Sequence, residues 1–282
     1  MTISGNARLA GVAGWPIAHS LSPALHAYWI AEHRLDAAYV PLAIKPDDFA
    51  SAFPALRKLG FRGLNVTLPH KEAAFALVDS HDEAARATGA VNTVVFEDGR
   101  TLGRNTDVFG FTQMLRDGGV VSLQDMTVVV LGAGGASRAI ITALLLLGAA
   151  QVILVNRTVE KTHTLVSAFG ARVVASPWDD LADCLPKAQL LVNTTSLGMA
   201  GQAALEIDLT PMPKGAAVVD IVYRPLVTPL LEQAKKRGLT AIDGLGMLLH
   251  QAQPGFAAWF GVEPRVTAEL RAHLVGLMKA QA

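Results

Sequence analysis

TVVVLGAGGASRAIITALLLLGAAQVILVNR, residues 127–157, decides the fold. An aliphatic run leads into Gly132-Ala133-Gly134-Gly135-Ala136-Ser137, an uncharged apolar run follows from Ala139 to Ala150, and Gln151–Val155 is aliphatic again. A membrane span needs about 20 apolar residues, and here Gly148 and then Gln151 punctuate the run. The run is therefore expected to be a buried helix ending near Gly148, followed by a buried parallel strand. Strand, glycine turn, helix and strand within about thirty residues form the βαβ unit of a dinucleotide site. Gly132 permits the tight turn, and Gly134 removes a side chain where backbone must approach a pyrophosphate. The helix N-terminus offers unpaired N–H groups to the same anion. Ser137 takes the third glycine position and is small enough for close packing. Glycine patterns are common in loops; the flanking strand, helix and strand make this one specific.

The end of the second strand selects the dinucleotide. An NAD site places Asp or Glu there to hold the ribose hydroxyls. This chain has Asn156-Arg157-Thr158, with Lys161 one turn further on. A guanidinium can pair with a 2′-phosphate and stack on adenine, whereas a carboxylate would repel it. NADP is the expected cofactor, although an arginine at a strand end is at most positions an ordinary solvated residue.

Working outward, strand and helix patterns alternate in the N-terminal third. Residues 7–14 and 38–44 read as strands around a helix over 22–34, then a helix over 46–60, a strand at 63–67 and a helix at 71–78. Such alternation means crossover connections and a largely parallel sheet. Asp98-Gly99 between two short runs signals a hairpin that adds an antiparallel pair. After the βαβ unit, ARVVA, LLVNTT, AAVVDIVY and LTAID are expected strands, and the chain from Gly244 onward is helical. Pro254 and Gly255 are expected to interrupt that terminal helix. The fold class is α/β, in two domains. Residues 1–106 plus 245–282 are expected to form a mainly parallel α/β/α substrate domain. Residues 107–244 are expected to form a Rossmann NADP-binding domain, which leaves the C-terminal helices free to pack back on the first.

Of 282 residues, 51% are apolar and 17% charged, which excludes disorder and provides for buried cores. Lys plus Arg equals Asp plus Glu at 24 each, so there is no basic footprint for nucleic acid. The N-terminus lacks the basic and apolar regions of a signal peptide. Cys184 is the single cysteine and permits no internal disulfide, which suits a reducing, cytoplasmic setting. No membrane partner and no metal are expected, the latter because no His/Cys/Asp/Glu set has ligand spacing. The expected assembly is a monomer or homodimer acting on a small molecule.

Three polar motifs fall at the ends of the N-terminal strands. His19-Ser20-Leu21-Ser22-Pro23 places two hydroxyls beside a helix N-terminus, where an anion is favoured; Ser before Pro is also a routine cap. In Asn65-Val66-Thr67-Leu68-Pro69-His70-Lys71, Asn65 and Thr67 point to one face of a strand. Lys71 opens the next helix against its dipole, although most lysines are merely solvated. Asn105-Thr106-Asp107 ends the hairpin, with Asn92 on its first strand, and an Asp before a helix is often a cap. Jointly, a Lys, an Asp and several neutral donors at strand ends suit hydride transfer to a polyol ketone.

S-x-S-P, N-V-T-L-P-H-K-E, G-A-V-N-T, N-T-D, G-A-G-G-A, N-R-T, N-T-T-S-x-G-M and G-x-G-M-L-x-x-Q-A follow in this order from residue 20 to residue 252. That series resembles the shikimate dehydrogenase family along nearly the whole chain. The resemblance implies reversible NADPH-dependent reduction of 3-dehydroshikimate to shikimate, in aromatic amino-acid biosynthesis, in a cleft between the domains. It implies that Ser20 and Ser22 bind the substrate carboxylate, with Tyr223 near it. Asn65, Thr67, Asn92, Asp107 and Gln251 would contact the hydroxyls, and Lys71 with Asp107 would form the catalytic pair. Gly132, Ala133, Gly134, Gly135 and Ala136, the clamp Asn156, Arg157, Thr158 and Lys161, and Thr194, Ser196, Gly198, Met199, Ile221 and Gly244 would hold NADP. His70 stands where many members of the family carry Phe, and Val108-Phe109 precede the glycine that usually follows N-T-D. A quinate or dual-specificity quinate/shikimate dehydrogenase is an alternative within the same family, and a different dehydrogenase on the same two-domain plan is a second; a catalytically silent NADP-binding regulator is an alternative from another class, against which both Lys71 and Asp107 speak.

Overall fold

A computed structural model describes residues 3–280. In chain order the strands and helices begin with β1 (Arg8–Gly14), α1 (Ser22–Glu32), β2 (Ala37–Ala43), α2 (Pro46–Lys58) and β3 (Phe61–Val66). There follow α3 (Lys71–Leu77), β4 (Ser80–His81), α4 (Glu83–Thr88), β5 (Thr93–Glu97), β6 (Arg100–Arg104) and α5 (Asp107–Asp117). The second series is β7 (Thr127–Leu131), α6 (Gly135–Leu146), β8 (Gln151–Asn156), α7 (Glu160–Phe169), β9 (Val173–Pro177) and α8 (Leu181–Cys184). It ends with β10 (Leu190–Asn193), β11 (Ala217–Asp220), α9 (Pro229–Lys236), β12 (Thr240–Asp243), α10 (Leu245–Phe260) and α11 (Ala268–Ala280). No helix among the described residues is long and apolar enough to cross a membrane.

The chain divides into two compact units, one running up to Asp107 and resuming at Leu248, the other Val108–Met247. The crossings are shifted from those expected. Asp107 stays with the first unit because its side chain is bonded there to Lys71 and Asn92. The return comes at Leu248 rather than at 245, since Gly246 lies against Met114 of the second unit.

In the first unit the sheet order is β2-β1-β3-β5-β6-β4. β1 pairs in parallel with both β2 and β3, while β5 pairs antiparallel with β3 and β6. α2 shows why its segment is helical. Pro46 opens it, Asp47 and Asp48 sit in its first turn and Arg57 and Lys58 in its last, matching the helix dipole. Phe49, Phe53 and Leu56 recur on one face and are buried. They join Leu64, Val66, Val94 and Phe96 in the core.

α10 runs unbroken through Pro254 and Gly255, contrary to the expected interruption. Packing outweighs the missing N–H of the proline and the entropy of the glycine. Phe256, Trp259 and Phe260 are buried just beyond them, and a Cβ on Gly255 would stand 2.8 Å from the Trp259 ring. Trp259 Nε1 donates to Val94 O at 2.9 Å, tying α10 to the sheet.

The second unit is a fully parallel six-stranded sheet, order β12-β11-β10-β7-β8-β9, the doubly wound arrangement. Its strands are buried aliphatic runs: Val128–Leu131, Val152–Val155 and Leu190–Val192 are all buried. β11 stops at Asp220, so the expected strand AAVVDIVY is shorter than read. Asp220 turns its carboxylate to Val222 N–H, Asn193 and Thr228, which bends the chain out of the sheet. β10 likewise ends at Asn193.

Candidate active site

Doubly wound sheets bind ligands beyond the carboxyl ends of their strands, where the strand order reverses. In the first unit the chain goes from β1 out to β2 and returns past β1 to β3. The segments after β1 and β3 therefore border the reversal, and they carry Ser20, Ser22, Thr67 and Lys71.

Lys71 opens α3, and its Nζ lies 2.6 Å from Asp107 Oδ2. Its side chain is 22% exposed and that of Asp107 12%, so the pair is partly dried yet reachable. Asn92 Nδ2 donates to Asp107 Oδ1 at 2.8 Å and lies 3.5 Å from Gln251 Oε1. Asn92 Oδ1 in turn accepts from the Thr106 N–H at 2.8 Å. Each end of the Asp107 carboxylate thus has a donor, one cationic and one neutral.

The amides continue inward. Asn65 Nδ2 donates to Asn92 O at 3.2 Å and to Thr93 Oγ1 at 3.0 Å, while its Oδ1 accepts from Tyr39 OH at 2.6 Å. Both Asn65 protons are engaged, which leaves a ligand the second lone pair of Oδ1. Tyr39 is buried, and burial raises its hydroxyl pKa well above the ordinary value, with Ser22 beside it opposing the shift. Tyr39 stacks on His26, ring centroids 3.8 Å apart. His26 is fully buried among Trp29, Phe256 and Trp259. Its nitrogens have no partner of normal hydrogen-bond geometry, and burial pushes its pKa down to about 3, with nearby Asn65 opposing.

The other expected residues of this unit fall nearby in the chain. Ser22 is the first residue of α1, Leu21 rather than a serine stands at its cap, and Ser20 Oγ accepts the Ser22 N–H at 3.3 Å. Thr67 extends the β3 pairing by donating its N–H to Ala13 O at 2.9 Å. His70 does the work of a phenylalanine by stacking on Phe49 at 4.3 Å, and adds a contact from Nε2 to Ile44 O at 2.8 Å. Tyr223 belongs to the second unit.

Reasoning from sequence passes over Tyr39, Thr93 and His26. The available signal was a tyrosine inside a buried strand, since a buried hydroxyl needs a partner. Nothing in the sequence says that the partner is Asn65.

In the second unit the strand order reverses between β7 and β10, and the glycine turn follows β7. Gly132 has φ +98°, and a Cβ there would stand 2.8 Å from Thr195 Cγ2. Ser137, completely buried, donates to Gly132 O at 2.7 Å, accepts from Gly134 N–H at 3.1 Å and lies 2.8 Å from Thr194 Oγ1. Thr194 donates to Leu131 O at 2.7 Å, so one hydroxyl pair spans the reversal. Ser137 is therefore a tie, beyond the small size expected of it. Asn156 links the turn to the segment after β8: its Oδ1 accepts from Ala133 N–H at 3.3 Å and its Nδ2 donates to Thr158 O at 2.7 Å. Arg157 and Lys161 are exposed. Gly135 and Ala136 open α6.

Asn193, buried, organises the next loop by accepting from Thr195 N–H at 3.0 Å and donating to Asp220 Oδ1 at 2.9 Å. Burial raises the Asp220 pKa, opposed by bonds from Thr228, Val222 and Asn193. Ser196 and Met199 are exposed on this loop, and Gly198 is turned at φ +85°. Gly244 lets the chain pass Ile221, whose carbonyl oxygen a Cβ would meet at 2.1 Å. The residues present suit NADP. The turn leaves room for a pyrophosphate, and an exposed guanidinium stands where an NAD site would carry a carboxylate.

Comparison with known proteins agrees. Residues 12–94 match the family model of the shikimate dehydrogenase substrate binding domain, and residues 116–247 that of shikimate / quinate 5-dehydrogenase. The shikimate dehydrogenase (NADP(+)) of Acidiphilium cryptum is 56% identical over 94% of this chain and 95% of its own. Shikimate 5-dehydrogenase from Thermus thermophilus, in complex with NADP(H) and shikimate, superposes with TM-score 0.84 at 36% identity, covering 98% of this chain and 100% of that one. Quinate dehydrogenase from Corynebacterium glutamicum, in complex with NAD, gives TM-score 0.88 at 31% identity, over 96% and 99% of the two chains. By motif order, fold and similarity over nearly its full length, the chain belongs to the shikimate dehydrogenase family.

Proposed function

We infer that the chain interconverts 3-dehydroshikimate and shikimate, in aromatic amino-acid biosynthesis, with NADP as its nicotinamide cofactor. NADPH, when bound, supplies the hydride. Reduction of a ring ketone turns its oxygen into an alkoxide, so the site must furnish positive charge there and then one proton. The observation that carries the reading is the Lys71–Asp107 pair, 2.6 Å apart and set among neutral amides. An ammonium has three donors. With one held by Asp107, the others are left for the substrate oxygen. Asp107 fixes the ammonium and offers its carboxylate to the same hydroxyl. Solvent returns the proton that Lys71 gives up.

Asn65, Thr67, Asn92 and Gln251 are assigned to the ring hydroxyls, because neutral amides and hydroxyls recognise a polyol without adding charge beside the reacting oxygen. Ser20 and Ser22 are assigned to the carboxylate, which hydroxyl donors beside a helix N-terminus favour, and Tyr223 is assigned there by the family resemblance alone. Arg157, Thr158 and Lys161 are assigned to the 2′-phosphate, and the turn at Gly132–Ala136 to the pyrophosphate. Thr194, Ser196, Gly198, Met199, Ile221 and Gly244 are assigned to the rest of the cofactor. Purified chain given shikimate and NADP⁺ is expected to raise absorbance at the nicotinamide band and yield a ring ketone by NMR. Folded chain that produces neither contradicts the reading.

A further inference from the structure

We propose that Trp178 is a positioning residue for Arg157 and, through it, for the preference for NADP over NAD. The proposal rests on the reading of Arg157 as the partner of the 2′-phosphate. β8 and β9 are parallel neighbours with Asn156 paired to Pro177. The residue that follows each strand is therefore Arg157 after β8 and Trp178 after β9, neighbours at the carboxyl edge of the sheet. The Arg157 guanidinium carbon lies 5.6 Å from the centroid of the Trp178 ring, within the range of a cation–π contact.

The two side chains differ in how they are held. Trp178 is half-buried and packs on the core cluster that includes Leu181, Leu185 and Leu205. Arg157 is exposed, and among the described residues no carboxylate pairs with it. An arginine on a strand end has many rotamers, and ordering it for a ligand opposes binding. A ring anchored in the core fixes one guanidinium face and leaves its N–H edge open for bidentate pairing with phosphate. A carboxylate in that role would also order Arg157, but would repel the incoming anion. A neutral aromatic face orders the cation and leaves its charge available.

The test uses the full chain with Trp178→Leu, Trp178→Phe, Arg157→Ala and the double variant. For Trp178→Leu we expect KM for NADP to rise roughly 2- to 30-fold, with kcat nearly unchanged and the constants for NAD unmoved. Trp178→Phe, which keeps a ring, is expected to fall between Trp178→Leu and wild type. In the Arg157→Ala background, Trp178→Leu is expected to add nothing to KM for NADP. Equal losses with NADP and NAD, or an undiminished loss in the Arg157→Ala background, would overturn the proposal by making Trp178 a core residue only. If Arg157→Ala itself leaves the NADP to NAD ratio unchanged, the clamp reading fails instead. Should Trp178→Leu not fold, calorimetric affinity for 2′,5′-ADP in Trp178→Tyr and Trp178→Phe decides. Weaker binding than wild type in both supports the proposal, and equal affinity in all three overturns it.

Discussion

On the proposed mechanism, Lys71 carries a charge whose value to the reaction changes most between ground state and transition state. On that reading Asp107, 2.6 Å from the ammonium, holds it before substrate arrives, and the growing alkoxide then draws on it. Lys71→Ala is therefore expected to lower kcat by roughly 10² to 10⁴ while shifting the Kd for shikimate far less. A variant with near wild-type kcat removes Lys71 from the mechanism. On the same reading Arg157 acts in binding. Its loss is expected to raise KM for NADP by about 10- to 100-fold, the size of a charge-assisted hydrogen bond. Arg157→Asp goes further and improves relative use of NAD; initial rates with both cofactors check this. His26 gives a stability effect with a definite sign. Its pKa is about 3 when folded, against an ordinary 6.5, so between those values the unfolded chain binds the extra proton. Its stabilising contribution is complete above pH 6.5 and is lost as pH falls towards 3. Denaturant unfolding at pH 7 and pH 4.5 should show a loss that shrinks by about 2–3 kcal/mol in His26→Phe. An unaltered acid limb contradicts a neutral, buried His26.

At the scale of elements, the first unit depends on a close approach of α10 to β3. A Cβ on Gly63 would stand 2.0 Å from Val94 O and 2.1 Å from Trp259 Nε1, so it would displace the bond those two groups make. Gly63→Ala is expected to destabilise by about 2–4 kcal/mol, through overpacking and an unmet buried carbonyl, seen as a lowered Tm. Affinity for 2′,5′-ADP should be retained, because Gly63 lies outside the NADP-binding unit. An unchanged Tm contradicts this packing. Such closeness is invisible in a one-dimensional pattern, which is why Pro254-Gly255 suggests a break where tertiary packing keeps a helix. What is legible depends on length and punctuation. The βαβ unit carries its period, its glycine turn and its breaker at Gly148 in one stretch, so β7, α6 and β8 follow from local rules. β4 has two residues and α4 six, too short for any apolar stripe to show. α4 is held instead by Asp82, which accepts the Ala85 N–H at 2.7 Å, and by left-handed Gly89. Asp220 is opaque for another reason. Nothing in AAVVDIVY says that a carboxylate will leave the ladder for Asn193 and Thr228.

For the whole molecule, the division of labour follows from two doubly wound sheets, each with its polar residues at a reversal of strand order. One gathers an ammonium, a carboxylate and neutral amides, and the other presents a glycine turn and a cationic strand end. Sequence motifs name most of those residues because strand ends are where local signals, caps and breakers concentrate. The hydrogen bonds that lock them, from Tyr39 through Asn65 and Asn92 to Asp107, join residues far apart in the chain and emerge only on folding. The division predicts a joint preference, one part set by each unit. The direct test is kcat/KM for the purified chain in the four combinations of shikimate or quinate with NADP⁺ or NAD⁺. Shikimate with NADP⁺ is predicted to exceed each other combination by at least roughly ten-fold, the effect of one well-placed charged or polar contact. A higher value with quinate or with NAD⁺, or no turnover in any combination, would contradict the account.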